Sequence, residues 1–103
     1  MLTSKQRAYL RGLASTEETI LMVGKGDISE NVIFQAKSAL KARELVKGKV
    51  LETSTLTPRE VCDTLCAECK AESVQVIGSK FVLYKRNETD PKIVLPKTEK
   101  KRN

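Results

Sequence analysis

A lysine between two glycines is the first feature whose residue types could do chemistry. Residues 23–31 read V-G-K-G-D-I-S-E-N and predict a turn between a strand and a helix. Glycines let a backbone approach a ligand closely, and successive amides in such a turn can form a nest for an anion. The N-terminus of the following helix adds partial positive charge. With Lys25 as a mobile cation, this loop could hold a phosphate.

The same nine residues also fit a purely structural turn. Asp27 and Glu30 have the spacing of a capping box, with Asp27 as the N-cap. A cap of this kind uses amides that a phosphate would need, and it places a negative charge where the phosphate would dock. These residues alone therefore favour the structural turn over the phosphate loop.

The cysteines Cys62, Cys66 and Cys69 form a C-x3-C-x2-C pattern. Radical S-adenosylmethionine enzymes bind an iron–sulfur cluster with this spacing, but in a loop of a much larger barrel. Here the spacing places the thiols on one face of a helix that begins at Thr57-Pro58. Free cysteine packs as a small hydrophobic residue, and a zinc site would lack a fourth Cys or His ligand. We therefore expect core cysteines, with no metal and no cofactor.

Charge and composition bear on the class of protein. The chain has no histidine, which removes the commonest general base near neutral pH and makes a hydrolase or transferase less expected. The net charge is +6 and is unevenly distributed. Residues 1–50 contain nine basic and five acidic residues, whereas residues 51–86 contain five of each. This asymmetry favours one surface built for a polyanion.

Seven elements must position these residues. Capping boxes at Thr3/Gln6 and Thr57/Glu60 predict two helix starts, and Gly78-Ser79 predicts a type II′ hairpin. The order helix–strand–helix–strand–helix–strand–strand predicts an α/β fold of the α+β two-layer type, in which helices pack on a four-stranded mixed sheet. The predicted helices cover 3–14, 29–43 and 58–70, and the predicted strands cover 19–23, 45–51, 73–77 and 81–86.

No apolar run is long enough to span a membrane, and the first residues have no apolar segment of the secretory type. Together with three cysteines, this predicts reduced thiols in the cytoplasm. We expect a monomer that binds neither a membrane nor a small-molecule substrate.

Several motifs in this order resemble the CRM family (chloroplast RNA splicing and ribosome maturation), also called YhbY-like proteins. They are L-T-S-K-Q-R-A-Y-L-R, V-G-K-G, A-L-K-A-R-E-L-V-K, V-Q-V-I-G, V-L-Y-K and I-V-L-P. The resemblance implies a domain over 1–96 with a fold like the C-terminal domain of translation initiation factor three. The polar and basic composition of residues 97–103 predicts a disordered tail. The resemblance also implies RNA binding through a GxxG loop, in which Asp27 replaces the last glycine.

We therefore expect an RNA-binding assembly factor rather than an enzyme, whose partner is ribosomal RNA in precursors of the large ribosomal subunit. Few aromatic residues are present, so backbone and shape recognition of RNA is expected rather than a stacking platform. Lys47 and Lys49 are expected to protect a sheet edge. The alternative function is a protein-interaction adaptor that docks through an acidic third helix with Glu60, Asp63, Glu68 and Glu72. The expected RNA-binding residues are Gly24, Lys25 and Gly26 in the loop, Lys5, Arg7 and Arg11 on the first helix, and Lys37, Lys41 and Arg43 on the second.

Overall fold

The computed structural model describes residues 2–26 and 28–95, so the tail predicted over 97–103 lies outside the described residues. The elements follow the predicted order and differ from the predicted bounds by at most two residues at either end. They are α1 (Ser4–Ala14), β1 (Thr19–Val23), α2 (Glu30–Arg43), β2 (Leu45–Val50), α3 (Pro58–Cys69), β3 (Glu72–Ile77) and β4 (Lys80–Tyr84).

Side-chain caps begin all three of these helices. Thr3 accepts a hydrogen bond from the Gln6 N–H while Gln6 accepts one from the Thr3 N–H, so the predicted capping box of α1 is confirmed. Thr57 and Glu60 form the second predicted box at α3. Helix α2 begins differently, because its N-cap is Ser29, whose Oγ accepts from the Val32 N–H at 3.3 Å. The predicted cap, Asp27, lies outside the described residues.

The four strands form one mixed sheet in the order β1-β2-β4-β3. Strands β1 and β2 are parallel, and the other two pairs are antiparallel. The hairpin between β3 and β4 turns through Gly78, whose φ is +58°, whereas Ser79 has no positive φ. This combination is a type II′ turn, as predicted.

Helices cover both faces of the sheet. Alternating residues of β4 point to opposite faces, so Phe81 and Leu83 pack with α2 and α3 while Val82 and Tyr84 pack with α1. Helices α2 and α3 with the sheet make the two predicted layers. Helix α1 adds a partial third layer on the other face, which the two-layer prediction did not include.

Strand β2 lies inside the sheet, between β1 and β4. The expectation that Lys47 and Lys49 protect an edge is therefore wrong, because β2 has no free edge. Gly48, between these lysines, faces α2 and α3. A Cβ there would lie 2.2 Å from the ring of Phe81, so the core requires glycine at this position.

Glu44 holds the segment after β4 in place. It is fully buried, with a φ of +67°. Its carboxylate accepts hydrogen bonds from the backbone N–H groups of Asn87, Lys92 and Ile93 at 2.6–2.8 Å. Burial would raise the pKa of this carboxyl, but the three hydrogen bonds together lower it below its ordinary value. No local pattern predicted this buried charge, since Glu44 is one more polar residue at a helix end.

Candidate nucleic-acid interface

The glycine loop joins β1 to α2 at one end of the sheet. A Cβ at Gly24 would lie 3.0 Å from the Thr53 hydroxyl and 3.2 Å from the Leu51 side chain, so this glycine allows close packing within the protein. Gly26 is different. Its φ is not positive, and a Cβ there would meet nothing within 4 Å. The fold does not require glycine at 26. Lys25 and Gly26 are both exposed to solvent, where a ligand could reach them.

Three exposed side chains continue from this loop along the outer side of α2. Phe34, Lys37 and Lys41 are spaced three and four residues apart, which places them on one side of the helix. Val32, Ala36 and Leu40 pack into the core on the opposite side. Phe34 is 69% exposed, the largest exposed fraction of any described aromatic side chain. From Phe34 to Lys41 this stripe extends about 10 Å along the helix axis.

The stripe ends at an open cleft of about 270 Å³ between α2 and the end of β4. Lys37 and Lys41 line it from the helix, and Lys85 and Arg86 line it from the chain after β4. Burial raises the pKa of the Cys69 thiol in this cleft, while the charges of Lys37 and Lys85 act in the opposite direction. Cys69, Lys37 and Lys85 all line this cleft. We call Phe34, Lys37, Lys41, Lys85 and Arg86 the α2 ridge.

The predicted cations of α1 are not part of this ridge. Lys5, Arg7 and Arg11 lie on the helix that packs against the other face of the sheet. The Arg7 Nε–H donates a hydrogen bond to the backbone oxygen of Ser73 at 3.1 Å, which fastens α1 to β3. The expectation of one basic surface built from both helices is therefore wrong. Arg43 also lies off the ridge, since it is two residues from Lys41 and its guanidinium lies 3.8 Å from the Glu17 carboxylate.

The cysteines occupy the core, as predicted. Cys62 and Cys69 are buried, and Cys66 is half-buried against the same cluster. A hydrogen bond with Cys66 lowers the pKa of the Cys62 thiol to about 7, against the effect of burial. Over residues 2–26 and 28–95, no group of three or more Cys, Asp or Glu side chains is placed to hold a metal ion.

The acidic residues of the adaptor hypothesis are partly used within the protein. Glu60 completes the capping box of α3. The Asp63 carboxylate lies 3.6 Å from the Arg59 guanidinium one turn earlier. Glu72 is in β3 and not on the third helix. Glu68, the remaining member of the proposed acidic set, is exposed on α3.

Sequence reasoning missed three members of the ridge: Phe34, Lys85 and Arg86. Phe34 falls outside the apolar stripe of α2, and this spacing was the available signal that its ring faces solvent. Nothing in the local sequence links Lys85 and Arg86 to α2, because the sheet brings them together across more than forty residues. In the described part of the chain, no helix is both long and apolar enough to cross a bilayer.

Comparisons with known proteins identify the family of the chain. The sequence model of the CRS1/YhbY (CRM) domain matches residues 2–85. The probable RNA-binding protein YqeI of Bacillus subtilis is 40% identical over 96 residues, which are 93% of this chain and 100% of the relative. An RNA-binding protein of Haemophilus influenzae is 35% identical over 96 residues, which are 93% of this chain and 96% of that protein.

The fold also has a close counterpart among solved structures. The solution structure of the hypothetical protein SAV1595 from Staphylococcus aureus superposes with a TM-score of 0.78 at 43% sequence identity. The match covers 93% of this chain and 100% of that one. The three-helix, four-stranded architecture is thus shared over nearly the whole chain.

Proposed function

The chain belongs to the CRS1/YhbY (CRM) domain family, and we propose that it is a non-enzymatic RNA-binding protein that assists assembly of the large ribosomal subunit. The names of its relatives support RNA as the ligand. The resemblance of its motifs to bacterial single-domain members supports precursor ribosomal RNA as the target. Its place of action would then be the cytoplasm, where such precursors are found.

The observation that carries this proposal is that the glycine loop and the α2 ridge lie along one helix, with the exposed carboxylate of Glu30 between them. Lys25 and Gly26 stand at one end of α2, and Lys85 and Arg86 stand at the other. Among the described residues, the side chains lining the cleft at the second end include no acidic one. A polyanion lying along the helix would therefore meet cations at both ends and in the middle.

The mechanism is electrostatic capture followed by backbone contact. Each Lys or Arg that neutralises a phosphate releases counterions, which gives affinity that depends on salt and little on sequence. The open space beside Gly26 then admits the sugar–phosphate chain close to the loop backbone. The sequence has no G-x4-G-K-[S/T] loop for ATP, so assistance to RNA folding would be passive.

A charge reversal in the loop tests RNA binding directly. Lys25→Glu replaces attraction by repulsion at the start of the path, so we expect a loss of affinity for a ribosomal RNA fragment of at least about tenfold. Lys5→Glu is the matched control, because it makes the same charge change at an exposed site on α1, outside the loop, the α2 ridge and their surroundings. Equal affinities of Lys25→Glu and wild type would exclude the loop from the interface.

Crosslinking to RNA in growing cells, followed by sequencing of the bound fragments, tests the assembly role. Enrichment of large-subunit precursor RNA is expected. Uniform recovery of cellular RNA would refute the ribosomal target while leaving RNA binding intact. A partner protein that stays bound after nuclease treatment, regardless of the residue at 25, would instead favour an adaptor.

A further inference from the structure

Four side chains form a row across the sheet beside the glycine loop, of which Met22, Ile77 and Lys80 are exposed and Lys49 is half-buried. Strand pairing places Met22 next to Lys49, Lys49 opposite Lys80, and Lys80 opposite Ile77. Met22 is 59% exposed and Ile77 is 63% exposed. Three strand intervals of about 4.8 Å separate the ends, so the row is about 14 Å long. We call these four residues the sheet row.

The row is open because α1 covers only the other half of this face. Leu45, Val82 and Tyr84 are buried beneath α1, at the end of the sheet away from the loop. Helix α1 ends at Ala14, whose carbonyl accepts a hydrogen bond from the Lys47 Nζ at 3.3 Å. The next residue of β2 on this face is Lys49, which already belongs to the sheet row.

The composition of the row works against the stability of the fold. Lys49 and Lys80 are directly paired across β2 and β4, and like charges in that position destabilise a sheet. Among the described residues, neither lysine forms an ion pair. The two apolar side chains at the ends gain little from burial, since both are more than half exposed. A ligand with negative charge and apolar faces would relieve both costs.

We propose that the sheet row is a second RNA contact, which binds an unpaired segment of the RNA held by the loop and the α2 ridge. This inference rests on the proposed RNA-binding function. The lysines neutralise phosphates, and Met22 and Ile77 pack against bases or riboses at either side. Bases are accessible for such contacts in single strands, whereas in a duplex their faces are stacked inside the helix.

The position of the sheet row next to the glycine loop is the reason for assigning RNA as its ligand. Met22 precedes Gly24 by two residues, so an RNA strand held at Lys25 reaches the row without leaving the protein surface. The loop then stands where two surfaces meet, with the α2 ridge on one side of the sheet and the row on the other. A structured RNA would place its paired backbone on the ridge and a loop or strand end on the row.

The test compares an unstructured RNA oligonucleotide with an RNA duplex that has the same number of phosphates. Met22→Ser with Ile77→Ser leaves the net charge unchanged, so we expect about tenfold weaker binding of the oligonucleotide and unchanged binding of the duplex. Val94→Ser is the matched control, because Val94 is 83% exposed and lies outside both RNA surfaces. Thermal unfolding of the variants should match wild type, since the altered side chains are exposed.

The lysines are tested separately. Lys49→Gln with Lys80→Gln should weaken binding of the oligonucleotide and lower its salt slope by about 1.4, or about 0.7 for each lost phosphate contact. If the Met22/Ile77 variant binds the oligonucleotide as tightly as wild type and the Val94 control, the row is not an RNA contact. Conversion of a wild-type dimer to a monomer by the same variant, measured by sedimentation, would assign the row to self-association and overturn the proposal.

The two proposals fail in different ways. If wild-type protein binds neither RNA, both fall together. If wild-type protein binds both RNAs and Lys25→Glu binds neither, while the row variant behaves as wild type, only the sheet-row proposal falls.

Discussion

Removing two cations from the α2 ridge should change the salt dependence of RNA binding by a calculable amount. The variant is Lys37→Gln with Lys41→Gln, which keeps the length and polarity of both side chains. Each lost phosphate contact lowers the slope of log affinity against log salt by about 0.7 for a single strand and about 0.9 for a duplex. Two contacts therefore lower it by about 1.4–1.8.

The same slopes give the loss of affinity. At about 0.1 M salt, one decade below 1 M, two lost contacts correspond to about 1.4–1.8 decades, or roughly 25- to 60-fold weaker binding. Fluorescence anisotropy titrations of labelled ribosomal RNA at several salt concentrations measure both quantities. Both lysines are exposed, so the free energy of unfolding should stay within about 0.5 kcal/mol of wild type.

The control is Lys5→Gln with Arg11→Gln, which removes the same charge from α1 on the opposite face of the sheet. Its slope should stay close to that of wild type if RNA follows the ridge. Equal losses in the two variants would show that binding responds only to net charge, and the reasoning from position on the fold would be refuted. A larger loss in the α1 variant would assign the main contact to the other face.

Further predictions concern four single residues. Glu44→Gln keeps one oxygen acceptor but replaces the other by an NH2 donor, so at least one of the three backbone N–H groups loses its acceptor, at a cost of about 1–3 kcal/mol of unfolding free energy. Because the folded-state pKa of Glu44 is lowered, its stabilisation is present above the ordinary value of 4.5 and is lost as pH falls through the lowered value; denaturant melts over this range should show a weaker pH dependence in the variant. Gly48→Ala should destabilise by about 1–3 kcal/mol through its clash with the Phe81 ring, whereas Gly26→Ala should leave the melting temperature unchanged and weaken RNA binding. Phe34→Ser should reduce affinity for single-stranded RNA by about 1–3 kcal/mol if a base stacks on the ring, with Phe34→Tyr retaining it; unchanged binding of Phe34→Ser would remove the ring from the interface.

The order of elements followed from local sequence signals. Thr3 and Thr57 each have a partner three residues later, and these two capping boxes fixed two helix starts. The run of T-I-L-M-V ended at a glycine and predicted β1 at its observed bounds. The signals are local because capping and strand alternation depend on neighbours a few residues away.

The arrangement of the site could not be predicted in the same way. Helix α1 could pack on the same face of the sheet as α2 or on the opposite face. The outcome depends on which face of each strand contacts each helix. Strand β4 is buried on both faces, so its run of F-V-L-Y carried no such information. The sequence therefore grouped Lys5 and Arg11 with Lys37, although the sheet separates them.

The glycine loop shows a second limit of prediction from the sequence. Its glycines suggested phosphate binding. The amino-acid sequence alone could not distinguish a glycine that is needed for packing from one that leaves open space. In the structure, a Cβ at Gly24 would contact the Thr53 side chain, whereas a Cβ at Gly26 would meet nothing within 4 Å. Only Gly26 therefore supports ligand binding at the loop.

Mapping of backbone amide chemical shifts on isotope-labelled protein, titrated with a ribosomal RNA fragment, tests the central claim most directly. We expect the largest changes at Lys25, Gly26, Phe34, Lys37 and Lys85, along one path from the loop to the end of β4. Changes confined to α1 and α3, with none in the loop or on the ridge, would contradict the assignment of the RNA interface.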